Sequence, residues 1–126
     1  MKTAHEIVAE AKAYVTEVPL DQAQDVIRAA DILIDVREVD EYVSGHLEGA
    51  VCIPRGVLEF RLTGNSAFER RDLAVVLYCR TSGRAALAAR SMQSMGYLNV
   101  KSIAGGIEAW LKAGLPVVQP EQPSFD

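Results

Sequence analysis

The chain has 126 residues, of which 49% are hydrophobic and 24% are charged, values typical of one globular domain. Its net charge of -4 argues against nucleic acid as a partner, because phosphate-binding proteins usually carry a basic excess. Two cysteines without a C-x-x-C pair argue against a disulfide scaffold and a metal site. No segment has the length of a membrane span, and Glu6 and Glu10 interrupt any signal-like apolar core, so we expect a cytoplasmic protein.

The first third of the chain predicts two helices and a strand. Thr3 and Glu6 form a reciprocal capping pattern, and apolar residues then recur at helical spacing as far as Val15. After Pro19, Asp21 is predicted to cap a second short helix. The β-branched run "DILIDV" (residues 31–36) predicts a strand that is buried on both faces.

Helices and strands continue to alternate in the rest of the chain. Short helical segments are predicted at 38–45, ending at Gly45, and at 56–62; longer helices are predicted at 84–96 and 105–114. "AVCIP" (50–54) predicts an interior strand that stops at Pro54, while "DLAVVLY" (72–78) and "NVKSIA" (99–104) predict two further strands. This alternation indicates an α/β fold with a parallel sheet covered by helices.

Cys79 directly follows the strand at 72–78, and ligands of open α/β sheets gather at the carboxyl ends of strands. The residues from Arg80 to Gly83 are small or flexible enough to curl over the sulfur, and the helix beginning near Arg84 would direct its free N–H groups inward. Such surroundings favour the nucleophilic thiolate form of a cysteine. Cys79 is therefore the predicted nucleophile, with Arg80 and Arg84 adding positive charge, whereas Cys52 is interpreted as a packed side chain.

Four segments in the same order resemble the rhodanese family, from about Val18 to Val118. They are "EVPLDQAQDVIRAAD", which matches more loosely, "LIDVREVDEYVSGHLEGAVCIP", "VVLYCRTSGRAALAA" and "VKSIAGGIEAWLKAGLPV". The resemblance implies a rhodanese domain (18–118), and the helical pattern before it predicts an N-terminal helical extension (1–17). The proline-rich, polar composition at the other end predicts a flexible tail (119–126). The resemblance also implies an α/β fold around a mostly parallel central sheet of about four to five strands, with helices on both faces.

The function implied by the resemblance is sulfur transfer without a cofactor. Sulfane sulfur would pass from a small anionic donor such as thiosulfate, through a persulfide on Cys79, to a thiophilic acceptor such as cyanide or a thiol. The persulfide would be cradled by the backbone amides of Arg80, Thr81, Ser82, Gly83 and Arg84, and Arg80 and Arg84 would attract the donor. The resemblance leaves a sulfur-relay protein as a further partner, and a monomer or a homodimer as the assembly.

Other residues of the matching segments are interpreted as structural. Asp35, Arg37 and Glu41 are expected to hold the strand-to-helix turn through charged hydrogen bonds. His46 is expected to shape a turn, because a thiolate stabilised by amides needs no general base, and Trp110 is expected to be a packing anchor.

Two other functions stay open. A cysteine-based phosphatase or arsenate reductase-like enzyme of related fold would place its arginine after five intervening residues, whereas only four separate Cys79 from Arg84, and residue 85 is alanine. The smaller ring favours a terminal sulfur over a tetrahedral oxyanion. A sulfur-relay or regulatory binding module is the second alternative.

Overall fold

A five-stranded parallel sheet forms the centre of the computed structural model, which describes residues 1–120. The strands are β1 (Thr16–Val18), β2 (Ile32–Asp35), β3 (Val51–Cys52), β4 (Ala74–Tyr78) and β5 (Asn99–Ile103), in the spatial order β1-β5-β4-β2-β3. The predicted α/β fold with a mostly parallel sheet is confirmed. An isolated antiparallel bridge joins His46 to Val118 outside the sheet.

Six α-helices surround this sheet in the described part of the chain. They are α1 (Ala4–Lys12), α2 (Leu20–Ala29), α3 (Val39–Ser44), α4 (Leu58–Leu62), α5 (Gly83–Ser94) and α6 (Gly106–Lys112), with short 3-10 helices at Arg55–Val57 and Ser66–Phe68. None of the helices described between residues 1 and 120 has the length and apolar character that a membrane crossing requires.

Strands β2 and β4 carry apolar residues on both faces because each face of the sheet has its own hydrophobic core. Leu77 and Ile34 pack on one face with residues of α4 and α5, whereas Val76 and Leu33 pack on the other with residues of α2 and α6. Burial of each such side chain stabilises the fold by about 1.5–3 kcal/mol. Alanines at four positions of α5 are fully buried and let this helix lie close to the sheet; they are Ala85, Ala86, Ala88 and Ala89.

The N-terminal helices differ from the predictions at their ends. The capping box is confirmed, since Glu6 N donates to Thr3 Oγ1 at 3.2 Å, but α1 ends at Lys12 rather than near Val15. The prediction that Asp21 caps α2 is wrong. The helix begins at Leu20, two residues earlier than that cap requires, because the carbonyl of Pro19 already accepts a hydrogen bond from Gln22 N at 2.9 Å.

The strand that contains Cys52 lies at the edge of the sheet, so its prediction as an interior strand is wrong. Strand β3 pairs only with β2, and Val51 remains 46% exposed. The apolar run misled the prediction because its outer residues, Ala50 and Ile53, are buried in the two cores although they flank a very short strand.

The expected boundary between the N-terminal extension and the domain falls inside a strand. Strand β1 runs from Thr16 to Val18 across the expected boundary at residue 18 and pairs with β5, so part of the expected extension belongs to the sheet. Most of the expected flexible tail, residues 121–126, lies outside the described residues.

Candidate active site

A buried polar network fixes the carboxyl ends of β2 and β4. Arg37 donates through Nη2 to Asp35 Oδ2 at 2.8 Å and to the Gly45 carbonyl at 2.7 Å, so the predicted turn through Asp35 and Arg37 is confirmed. Tyr78 donates its hydroxyl to Asp35 at 2.9 Å and accepts the Leu47 N–H at 3.0 Å. Burial raises the pKa of Tyr78, which keeps this hydroxyl protonated and able to donate.

Cys79 lies immediately beyond this network, as predicted, between β4 and α5. The residue is only 1% exposed and packs in the core shared with Leu77 and Ala85. Its Sγ lies 3.4 Å from the Ala85 N–H, which comes from the first turn of α5. A backbone donor of a helix N-terminus therefore faces the sulfur, and such donors favour negative charge.

The carbonyl groups of the loop that follows Cys79 point toward the start of α6. Ile107 N donates to the Cys79 carbonyl and Glu108 N to the Arg80 carbonyl, both at 3.0 Å. A Cβ at Gly106, where φ is +59°, would lie 2.5–2.6 Å from the carbonyl oxygens of Cys79, Arg80 and Thr81. Only a glycine fits this approach. This role of Gly106 was not predicted, although a Gly-Gly pair before a helix is a sequence signal for such an approach.

Within residues 1–120, the amides of the loop that follows Cys79 have no protein acceptors. In a trans peptide the N–H points away from the C=O, so the N–H groups that follow the three carbonyls point away from α6. Within the described part of the chain none of the five amides predicted to cradle a ligand donates to a protein acceptor: Arg80, Thr81, Ser82, Gly83 and Arg84.

The two arginines of the loop bind carboxylates at its mouth. Arg84 makes a two-point contact with Glu41, at 2.7 and 3.1 Å, and this hydrogen bond lowers the pKa of Glu41 to about 2. Arg80 is largely exposed, with its Nε 3.5 Å from a carboxylate oxygen of Glu108. Arg84 stands at the helix start, as predicted, but its guanidinium turns toward Glu41, a partner that the sequence analysis had assigned only to the turn.

The remaining three predicted ligand residues are Thr81, Ser82 and Gly83, of which Gly83 is partly buried as the first residue of α5. Thr81 is exposed, and Ser82 is partly buried as the N-cap of α5. Ser82 Oγ accepts a hydrogen bond from Lys12 Nζ at 2.7 Å. The sequence analysis did not foresee a contact between α1 and this loop, because the two residues are 70 positions apart.

A depression of about 370 Å³ lies next to the loop. It is lined by Arg37, Glu41, Ser44, Arg80, Ile107, Glu108 and Leu111. Charges of both signs therefore surround the approach to the loop.

Cys52 has a different environment. It is half-buried, and its Sγ lies 3.7 Å from the Arg37 carbonyl, an acceptor that matches a protonated thiol. Burial raises the pKa of the Cys52 thiol, which opposes thiolate formation. The interpretation of Cys52 as a packed side chain is consistent with these contacts.

The contacts of His46 and Trp110 are consistent with their structural interpretations. His46 is buried and stacks on the Tyr42 ring at 3.7 Å, with Nδ1 3.0 Å from the Tyr42 carbonyl. Trp110 is buried and donates its indole N–H to the Pro116 carbonyl at 2.8 Å. Both rings therefore hold neighbouring segments in place.

The chain is similar to known proteins of one family. A model of the rhodanese-like domain family matches residues 19–113. Thiosulfate sulfurtransferase 16, chloroplastic, of Arabidopsis thaliana is 31% identical over 118 residues, which cover 86% of this chain and 98% of the relative.

Two solved structures are similar over most of their length. The polysulfide-sulfur transferase homodimer of Wolinella succinogenes has a TM-score of 0.74 at 29% identity, over 91% of this chain and 86% of the other. A protein of unknown function from Rhodopseudomonas palustris, described as a possible tyrosine phosphatase, has a TM-score of 0.82 at 29% identity, over 94% and 96%.

Proposed function

Because the chain belongs to the rhodanese-like domain family and is related to sulfurtransferases, we propose that it moves sulfane sulfur through a persulfide on Cys79. The donor is a small anion such as thiosulfate, and the acceptor is a thiophile such as cyanide or a thiol. One observation carries the proposal: the N–H group of Ala85 faces the sulfur, and five further loop amides have no protein acceptor within residues 1–120.

The reaction has two displacement steps. In the first, the Cys79 thiolate attacks the outer sulfur of thiosulfate; a bond forms from Sγ to that sulfur, and the S–S bond of the donor breaks as sulfite leaves with the electron pair. In the second, cyanide attacks the outer sulfur of the persulfide, and Cys79 leaves as the thiolate while thiocyanate forms. No electrons are gained or lost overall, and the two half reactions predict ping-pong kinetics.

The loop supplies the stabilisation that each step needs. Negative charge rests on the Cys79 sulfur before the first step and on the terminal persulfide sulfur after it, next to the unpaired amides. Each hydrogen bond to a charged acceptor contributes about 1.5–3 kcal/mol, so a few converging amides suffice without a metal ion. Arg80 and Arg84 attract the anionic donor to the loop, and the donor competes with Glu41 for Arg84.

The burial of Cys79 favours a small substrate. A side chain that is 1% exposed can accept a terminal sulfur atom more readily than the phosphorus of a phosphate ester, which carries four bulky oxygen substituents. The four-residue spacing to Arg84 supports the same choice. The similarity to the possible tyrosine phosphatase of R. palustris makes phosphate ester hydrolysis the alternative to test.

Intact-mass analysis of the purified chain tests the proposal. Thiosulfate is expected to add one sulfur atom to Cys79, located by peptide mapping, and cyanide is expected to remove it and release thiocyanate. A chain that stays unmodified by thiosulfate but hydrolyses p-nitrophenyl phosphate would be a phosphatase. An added sulfur on Cys52 in place of Cys79 would overturn the assignment of the nucleophile.

A further inference from the structure

The segment from α1 to Tyr14, which precedes the region matched by the family model, contacts both ends of α5. At one end Val8 lies 3.6 Å from the position that a Cβ on Gly83 would occupy. At the other end Gln93 donates to the Tyr14 carbonyl at 2.9 Å, and the Arg90 guanidinium lies 4.3 Å from the Tyr14 ring centre. The last residue of α1, Lys12, is thereby held beside the loop that follows Cys79.

Ser82 is the N-cap residue of α5, yet its side chain does not cap the helix. An N-cap serine normally has extended backbone angles and accepts the N–H of the second or third helical residue, here Arg84 or Ala85. Ser82 instead has φ -154° and ψ -20°, and its Oγ accepts from Lys12 Nζ at 2.7 Å. The Ala85 N–H that it would ordinarily bind is directed at the Cys79 sulfur.

We propose that Lys12 is a positioning residue for sulfur transfer: by holding the Ser82 hydroxyl, it keeps the Ala85 N–H available to Cys79. Without Lys12, Ser82 is free to take the usual N-cap conformation, and its Oγ then competes with the sulfur for that N–H. The peptide bond between Ser82 and Gly83 turns in the same change, so the Gly83 amide also loses its direction. The inference rests on the proposed function only where it predicts an effect on sulfur transfer. The contact between Lys12 and Ser82 is expected to change the reactivity of the Cys79 thiolate whatever its substrate.

Two reagents separate this role from simple charge attraction. Lys12 Nζ also lies 3.9 Å from a carboxylate oxygen of Glu17, so its charge is partly offset. If Lys12 acted by attracting anions, its loss would slow the reaction of Cys79 with iodoacetate and leave the reaction with neutral iodoacetamide unchanged. If it acts through Ser82, both reactions slow equally.

The experiment is a double-mutant cycle of Lys12→Met and Ser82→Ala in the full chain that carries Cys52→Ser. Lys12→Met is expected to slow iodoacetamide alkylation of Cys79 about five-fold, the effect of one N-cap hydrogen bond. In the Ser82→Ala background, which has no hydroxyl to compete, Lys12→Met is expected to have no further effect. Displacement of α1 alone would not be rescued by removal of the Ser82 hydroxyl.

An unchanged alkylation rate in Lys12→Met, or an equal loss in both backgrounds, would overturn the assignment of Lys12. Alkylation requires no sulfur donor, so this result is independent of the thiosulfate reaction. Absence of a persulfide in the parent chain would instead count against the proposed function. If the role of Lys12 and the proposed sulfur transfer are both correct, Lys12→Met slows persulfide formation from thiosulfate by the same factor as alkylation.

Discussion

The two cysteines lie near the same end of the sheet but face opposite backbone groups. Cys52 pairs in register with Asp35 of the neighbouring strand, and Tyr78, the residue before Cys79, pairs with the same aspartate from the other side. The Cys79 sulfur faces an N–H group at 3.4 Å, whereas the Cys52 sulfur faces a carbonyl at 3.7 Å. A donor stabilises a thiolate and an acceptor stabilises a thiol.

Burial alone therefore does not decide which cysteine reacts. Cys79 is the more deeply buried of the two, and Cys52 is only half-buried. What differs is the direction of the surrounding peptide groups, since the start of α6 draws the loop carbonyls of Cys79 to one side and leaves the amides on the other. The orientation of the nearby backbone groups is therefore the feature on which the proposal for Cys79 rests.

The largest effect is expected from exchange of the cysteines themselves. Cys79→Ser should abolish formation of the sulfur adduct and all transfer to cyanide, because no other thiol faces backbone donors. Cys52→Ser, the matched control, should leave both unchanged. Intact-mass analysis and a thiocyanate assay measure the two effects. Transfer that survives in Cys79→Ser would end the distinction between the two sites.

A substitution at Gly106 should disturb the orientation of the peptide groups around Cys79, which is the feature that distinguishes it from Cys52. Gly106→Ala places a methyl group against three loop carbonyls and forces alanine to φ +59°, so we expect about 3 kcal/mol lower unfolding free energy and a lost adduct. Gly114→Ala is the control, because Gly114 has φ +75° and no atom within 4 Å of the new methyl group.

Urea denaturation measures the unfolding free energy of both glycine variants, and mass analysis after thiosulfate treatment measures their sulfur adduct. The control should lose about 1 kcal/mol, the cost of a left-handed alanine, and still form the adduct. Equal losses of stability and adduct in the two variants would show that the approach of α6 does not orient the loop.

The smallest effect is expected from the pH dependence of the Glu41–Arg84 pair. Arg84 lowers the pKa of Glu41 to about 2 in the folded chain, so the pair stabilises the fold at neutral pH and is lost as pH falls below about 4.5 toward 2. Glu41→Gln should reduce the free energy of unfolding by about 1 kcal/mol at pH 7, as is usual for partly exposed pairs.

Urea titrations of the parent and Glu41→Gln from pH 7 to pH 3 measure this dependence. The difference between them should stay constant down to about pH 5 and then shrink. A difference that stays the same from pH 7 to pH 3 would mean that Arg84 does not hold Glu41, and that the mouth of the loop is less ordered than its contacts indicate.

Local patterns predicted most of the framework and the candidate nucleophile. The apolar runs at 31–36 and 72–78 predicted β2 and β4, because strands covered on both faces need apolar residues at every position. Cys79 was recognisable because a strand end, a short glycine-containing loop and a helix start coincide in consecutive residues. The edge position of β3 was not recognisable, since strand order depends on pairing between distant segments.

The sequence by itself determined the α/β class, the alternation of elements and the place of Cys79 at a strand end, because these depend on neighbouring residues. Only the tertiary structure decided which groups surround the sulfur. Gly106 contacts the loop that begins at Cys79, 27 residues before it. Glu41 binds Arg84 across 43 residues, and Lys12 donates a hydrogen bond to Ser82 across 70 residues. Contacts of this kind form only when the sheet brings separate segments together, and no local pattern records them.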